Sequence, residues 1–279
     1  MERLPELPKS IRILKPMESE MLRAVGAGNN WRTPEDCQTC GGTGYYRWYS
    51  ATEIWEVVEW ECNCVDQWIM FRYFLSNGIW PRYQRLGWRD AHSVDPDALK
   101  AVFEYATKSD DHAARGTGLY LHGPSGTGKT MIGTLILKMM MAKGHSGYWT
   151  TFVDLLSGKR EGFEDPDARD AFVRNVRNSD FLLIDDPGKE HASGERQINW
   201  QTSIVDEVIR HRSGMQLPTI ITSNHSTDEF NQRYGSAVAS LLSEVQIPVP
   251  FYGRDFRKES ERLEAEIMAK GLSRPVVIQ

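Results

Sequence analysis

Hydrophobic and polar positions follow different periods in different parts of the chain. From Tyr45 to Tyr49 and from Trp55 to Trp60, aromatic and polar residues alternate around a turn signal at Ser50-Ala51-Thr52. Period-2 alternation on both sides of a turn predicts a hairpin. Asp66 to Ser76 reads as a helix, stopped by Asn77-Gly78 and Pro81. Beyond Gly118, short apolar runs alternate with longer helical stretches. Leu119-Tyr120-Leu121, Tyr148 to Val153, Phe181 to Ile184, Pro218 to Thr222 and Ile247 to Phe251 predict strands. Strand, turn and helix in repeated order predict an α/β fold with a central parallel sheet flanked by helices. Asp255 to Lys270 predicts a charged surface helix, with Arg257–Glu261 and Arg262–Glu266 as i, i+4 pairs.

These patterns divide the chain into four stretches. Residues 1–30 carry Ile11, Ile13, Leu14, Met17, Met21, Leu22 and Val25 around a break at Pro16, and fit either a partly ordered tail or a docking segment. Residues 31–78 form a cysteine-bearing module with its helix, 79–117 a linker and lead-in segment, and 118–279 the α/β domain.

Composition narrows the function classes. Of 279 residues, 40% are hydrophobic and 25% charged, ordinary for a globular protein. No apolar run approaches the roughly 20 residues that cross a bilayer, and the first residues lack a secretory pattern. The expectation is a cytoplasmic protein with no membrane partner. A net charge of −5 excludes a strongly basic nucleic-acid binder. Any nucleic-acid contact must therefore come from a local patch or from an oligomer that gathers patches. Lys159 and Arg160, or Arg174 and Arg177, between the second and third predicted sheet strands, are candidates for phosphate contacts, beside enough Asp and Glu to read equally as a solvated face.

All four cysteines, Cys37, Cys40, Cys62 and Cys64, fall in the first quarter of the chain. Two close pairs bracketing a hairpin suit a tetrahedral Zn²⁺ held by four thiolates, and Gly41-Gly42-Thr43-Gly44 permits the tight turn after the first pair. With every position filled by protein, such a site is structural. An iron–sulfur cluster, a redox dithiol and unligated cysteines remain as alternatives. Seven of the nine tryptophans lie between residues 31 and 90. Tyr45, Tyr46, Trp48, Tyr49, Trp55 and Trp60 fit both the small core of such a module and a base-stacking surface, with Arg47 the only basic residue inside the hairpin.

The sharpest chemistry lies at Gly123-Pro124-Ser125-Gly126-Thr127-Gly128-Lys129-Thr130, which matches G-x-x-x-x-G-K-[ST] between a predicted strand and a predicted helix. Glycines let the backbone wrap a phosphate with N–H groups pointing inward at a helix N-terminus. Lys129 would reach the β- and γ-phosphates of ATP, and Thr130 would bind Mg²⁺. Phe181 to Ile184 ends in Asp185-Asp186, carboxylates suited to Mg²⁺, with Asp185 the expected ligand beside Thr130. Asn224 closes another apolar strand, where it would orient a water beside the γ-phosphate.

These motifs and their spacing resemble the AAA+ ATPases of the DnaC/IstB family, which includes bacterial and phage helicase loaders. The resemblance spans about Ile79 to Lys258. It is carried also by Ile79-Trp80-Pro81-Arg82-Tyr83, by Leu182 to Glu190, by Leu217 to Asn224 and by Val249 to Arg257. It implies that Asp186 polarises the attacking water, that Asn224 is the sensor-1 residue and that Arg257 is the sensor-2 arginine. It implies a DnaB-type replicative helicase as partner, single-stranded DNA, and a homo-oligomer formed with ATP. One departure stands out: Leu241 occupies the position where many members carry the arginine that acts on a neighbour's ATP, with Arg233 and Arg212 the nearest cations. Hydrolysis is then expected to be slow. A transposition helper of the IstB type on duplex DNA, and a nucleotide-dependent adaptor that does not hydrolyse, stay open beside the loader.

Overall fold

The computed structural model describes residues 45–49, 57–61, 63–187, 195–258, 261–262 and 276–277. Strands β1 (Tyr45–Tyr49) and β2 (Val57–Glu61) pair antiparallel, with Arg47 opposite Glu59, as the alternation predicts. Helix α1 (Asn63–Ser76) follows. It ends in a Schellman motif: Ile79 N donates to Phe74 O (2.9 Å), Gly78 N donates to Leu75 O (3.0 Å), and Gly78 takes φ +81°.

The lead-in segment holds α2 (Pro81–Gln84), a 3₁₀ turn (Trp88–Ser93), α3 (Pro96–Thr107) and α4 (Ser109–Arg115). β3 (Gly118–His122), α5 (Lys129–Ala142), β4 (Gly147–Thr151), α6 (Phe152–Glu161), α7 (Pro166–Phe172) and a π turn (Val173–Arg177) follow. Then come β5 (Phe181–Asp185), α8 (Glu195–Gly214), β6 (Thr219–Ser223), α9 (Thr227–Tyr234), α10 (Ser236–Val245) and β7 (Gln246–Pro250). β3 to β7 form one parallel sheet in the order β4-β5-β6-β3-β7.

Alternation along the central strands builds two cores, one on each face of the sheet. Leu119, Leu121, Phe181, Leu183 and Ile220 join Ile132, Leu135 and Ile136 of α5. Tyr120, Leu182, Ile184 and Ile221 join residues of α6, α8, α9 and α10. Strands buried on both faces read as unbroken apolar runs, which is why Phe181-Leu182-Leu183-Ile184 carries no polar residue. Each such side chain contributes roughly 1.5–3 kcal/mol by leaving water.

Two sequence expectations shift. The second predicted sheet strand was placed over Tyr148 to Val153, but it stops at Thr151, whose hydroxyl accepts from Asp154 N at 3.0 Å and caps α6. β-branched Val153 belongs to that helix instead. Residues 79–117, read as linker and lead-in, are built into the first core: Ile79, Val94, Ala98, Val102 and Tyr105 pack there with Met70, Phe71 and Phe74 of α1. Most of the predicted helix from Asp255 to Lys270, with the Arg262–Glu266 pair, lies outside the described residues; Arg257 and Glu261 are both described and exposed.

Candidate nucleotide site

In a parallel sheet every strand delivers its C-terminal end to the same edge, and a crevice there collects the loops that follow. The glycine-rich loop follows β3, Asp185-Asp186 ends β5 and Asn224 follows β6. Phosphate-loop geometry requires backbone that L side chains avoid; Gly126 and Gly128 supply it at φ +81° and +95°. Thr127 Oγ1 donates to Pro124 O (2.9 Å) and closes the loop on itself.

A continuous hydrogen-bonded chain runs through the site. Buried Lys129 donates to Gly123 O and Pro124 O (2.7 Å each) and to Asn224 Oδ1 (3.1 Å). Asn224 Nδ2 donates to Asp186 Oδ1 at 3.0 Å. The amide is oriented by its partners, because only its oxygen can accept from an ammonium and only its nitrogen can donate to a carboxylate. Asp186 N donates to Thr222 O at 2.9 Å. The Thr222 hydroxyl donates to Asp185 Oδ1, and the Thr130 hydroxyl reaches the same oxygen at 2.8 Å.

Asp186 adopts φ +59°, a left-handed conformation costing about 1–2 kcal/mol for an ordinary L residue, although Asp tolerates it better than most. Tertiary contacts hold it there: the Thr222 carbonyl on one side and the Asn224 amide on the other. Beside the loop, burial and the nearby Lys129 charge lower the pKa of His122, which favours its neutral imidazole over a second cation there.

The arrangement fits ATP with Mg²⁺. The loop offers an anion nest with an ammonium at its wall, and Thr130 with Asp185 offers a hydroxyl and a carboxylate side by side, hard oxygen donors of the kind Mg²⁺ takes. Lys129, Thr130, Asp185, Asp186 and Asn224 are thus brought together. Arg257 is carried to the outside of the loop. There Phe256 N donates to Gly126 O (3.1 Å), Arg257 N donates to Asp255 Oδ1 (2.9 Å), and the arginine side chain is exposed.

Of the two finger candidates, Arg212 is excluded. It is fully buried in the last turn of α8, where its guanidinium donates to the carbonyls of Ser179 (2.9 Å) and Pro218 (2.7 Å) and to Thr219 Oγ1 (3.0 Å). Burial lowers its pKa, with Asp180 opposing the shift. It ties α8 to the beginnings of β5 and β6 and cannot reach a neighbouring molecule. Arg233 is exposed in the last turn of α9, and Leu241 packs against the second core.

Among the proposed phosphate contacts, Lys159 lies 2.7 Å from Glu207 and Arg177 4.0 Å from the same carboxylate. Arg160 sits 5.3 Å from the ring of Trp200, and Arg174 is exposed. Cys37, Cys40 and Cys62 lie outside the described residues, and of Cys64 only the backbone, at the start of α1, is described. The side chains of the aromatic hairpin likewise lie outside the described residues.

Sequence reading missed one contributor to this site. Thr222 looked like one more strand residue, yet its hydroxyl is on Asp185; a polar β-branched residue 1% exposed in a central strand is the available signal.

A parallel sheet in this order, with a phosphate loop after one strand and paired carboxylates after another, defines an AAA+ P-loop ATP-binding protein. The family described as IstB-like ATP binding protein matches residues 88–243, more than half of the chain, and the chain belongs to that family. It is 28% identical over 156 residues to the replicative helicase loader DnaI of Bacillus subtilis, covering 54% of this chain and 48% of that protein. The match to the Escherichia coli replicative helicase loader DnaC is 23% identical over 177 residues, 62% of this chain and 69% of that one. The crystal structure of the DnaC helicase loader superposes with a TM-score of 0.54 at 25% identity, over 62% of this chain and all of that one. The chain spans about half the length of DnaI. Among the described residues, no helix is long and apolar enough to cross a membrane.

Proposed function

We propose that the protein is an ATP-dependent helicase loader that binds a DnaB-type replicative helicase and assists its placement on single-stranded DNA. The observation that carries the ATP-dependent part is the unbroken chain Lys129–Asn224–Asp186–Thr222–Asp185–Thr130 at the strand ends. Similarity to DnaI and DnaC supports the loader part. Mg²⁺, when bound, supplies Lewis-acid stabilisation of charge developing on the phosphates. Gly123 to Thr130 bind the phosphates through backbone N–H groups and the Lys129 ammonium. Thr130 and Asp185 hold the cation. Asp186 accepts a proton from the attacking water, and Asn224 aligns Asp186 while reporting to Lys129. Arg257 completes the site from the rim as sensor 2. With Leu241 at the finger position, turnover is slow and ATP-dependent assembly of several copies is the working signal.

Single-stranded DNA is assigned to the α6–α7 region. A groove of about 300 Å³ there is lined by Lys159, Phe163, Arg169 and Arg177, with Phe163 68% exposed. An aromatic face among cations is what an unpaired strand asks for. The four cysteines are assigned to a structural Zn²⁺ that shapes the helicase-binding N-terminal portion. Metal analysis should find one zinc per chain, and a chain free of zinc when purified without chelator would remove that assignment.

The deciding experiment is copurification with the host's replicative helicase in ATP-Mg, using Lys129→Ala as control. A complex that depends on nucleotide and is lost in the variant is expected. Absence of that complex, together with ATP-dependent assembly on duplex DNA, would replace the loader with an IstB-like transposition helper.

A further inference from the structure

The Asn224 amide can bridge Lys129 and Asp186 only if the backbone that carries it is held still, because so short a side chain passes any shift of its peptide to both contacts. β6 ends at Ser223 and α9 begins at Thr227, so Asn224, His225 and Ser226 form the turn between them.

Both polar atoms of the His225 backbone are held by side chains. Its N–H donates to Ser223 Oγ at 3.1 Å, and its carbonyl accepts from the Tyr120 phenol at 2.8 Å. The direction of the second bond is fixed by chemistry, since a carbonyl oxygen can only accept. On one side of the turn, Gly123 N donates to Ser223 O (3.2 Å) and ties the start of the phosphate loop to the end of β6. On the other, Ser226 caps α9: its hydroxyl accepts from Glu229 N (3.3 Å), and its N–H donates to Glu229 Oε2 (2.7 Å). Tyr120 is the side chain by which β3, the strand leading into the phosphate loop, grips this turn.

Tyr120 is itself held firmly. It is buried in the second core, with its ring centroid 5.4 Å from that of Phe230 of α9, edge-on, and 5.5 Å from that of His122. Its strand neighbours Leu119 and Leu121 and its partner across the ladder, Ile221, are aliphatic. Phenylalanine would fill the same space. What tyrosine adds is a buried hydroxyl, a group that costs stability unless it is hydrogen-bonded, and its proton goes to the carbonyl of the residue after Asn224.

We infer that Tyr120 is a positioning residue for ATP hydrolysis: its phenol pins the His225 carbonyl and so holds the Asn224 amide between Lys129 and Asp186. The inference rests on the ATPase reading of the site.

It is tested with the full chain by ATPase assays, single-turnover where rates are slow, beside equilibrium binding of a non-hydrolysable ATP analogue. Tyr120→Phe keeps the ring against Phe230 and His122 and removes only the hydroxyl. One lost hydrogen bond predicts a kcat lower by about three- to tenfold, with analogue affinity matching the wild type. Ser223→Ala, which frees the His225 N–H, should lower kcat in the same direction. The separating readout is a double-mutant cycle. Because Tyr120 acts through Asn224, Tyr120→Phe should cost nothing further in an Asn224→Ala background, whereas a merely structural role would lower kcat by the same factor in both. An unchanged kcat in Tyr120→Phe, or equal losses in the two backgrounds, overturns the inference alone. A wild-type chain that does not hydrolyse ATP overturns the ATPase reading and the inference with it.

Discussion

Asp186 combines a strained backbone with a carboxylate whose Oδ1 accepts from Asn224, and the two are related: the left-handed turn at φ +59° brings its carboxylate within 3.0 Å of Asn224 Nδ2. Strain of this kind persists only where surrounding contacts over-determine it. Asp186→Asn preserves shape and removes the base. Hydrolysis should fall by about 10²–10⁴-fold, with affinity for the ATP analogue within a few-fold of wild type and Lys129→Ala losing both. Steady-state ATPase assays beside equilibrium binding measure this, and undiminished turnover in Asp186→Asn would remove the residue from the chemistry. Arg212 teaches the opposite lesson at the same scale. It was an attractive finger by sequence proximity, yet its contacts to Ser179, Pro218 and Thr219 make it a strut between α8 and two strands.

Among elements, the junction of α1 with the sheet depends on Gly78. The glycine ends the helix in a left-handed turn, and the adjacent Asn77 O accepts from Trp149 N of β4 at 2.9 Å. A Cβ added at Gly78 would lie 1.9 Å from Trp149 O, with backbone and not a flexible side chain in the way. Gly78→Ala therefore carries both the conformational penalty and a displaced contact, and should cost more than about 2 kcal/mol in urea unfolding. A loss below about 0.5 kcal/mol would mean that α1 docks without this turn. The stop at Asn77-Gly78 was legible from residue type alone. That the same two residues touch β4, remote in sequence, was not, because nothing local to them encodes it.

For the whole molecule, Lys138 links the lead-in segment to the phosphate-loop helix and makes stability depend on pH. Burial pushes its pKa down from 10.5 to about 7, with Asp90 opposing. A base whose folded pKa is lowered binds fewer protons in the folded state than in the unfolded one between those values. Its contribution to stability is therefore fully present above the unfolded pKa and is lost as pH falls through the folded one. Thermal midpoints should rise between pH 7 and pH 10 more steeply in the wild type than in Lys138→Met, and parallel slopes in the two proteins would count against this.

Local chemistry wrote much of this protein into its sequence. The phosphate loop needs glycines beside Lys129 and Thr130 in consecutive order, the Asp185-Asp186 pair needs only to end an apolar run, and buried parallel strands announce themselves as apolar stretches; all of these are short-range demands. The ends of strands shifted by a residue or two where a cap such as Thr151 competed. What only the tertiary structure decided is which distant side chains meet. Lys138 grips carbonyls more than 50 positions earlier, Thr222 gives its proton to Asp185, and Arg212 is spent inside the fold. Hydrogen bonds between remote segments depend on where the sheet and its helices place their ends, and that placement is set by burial summed over the whole core and not by any residue pattern along the chain.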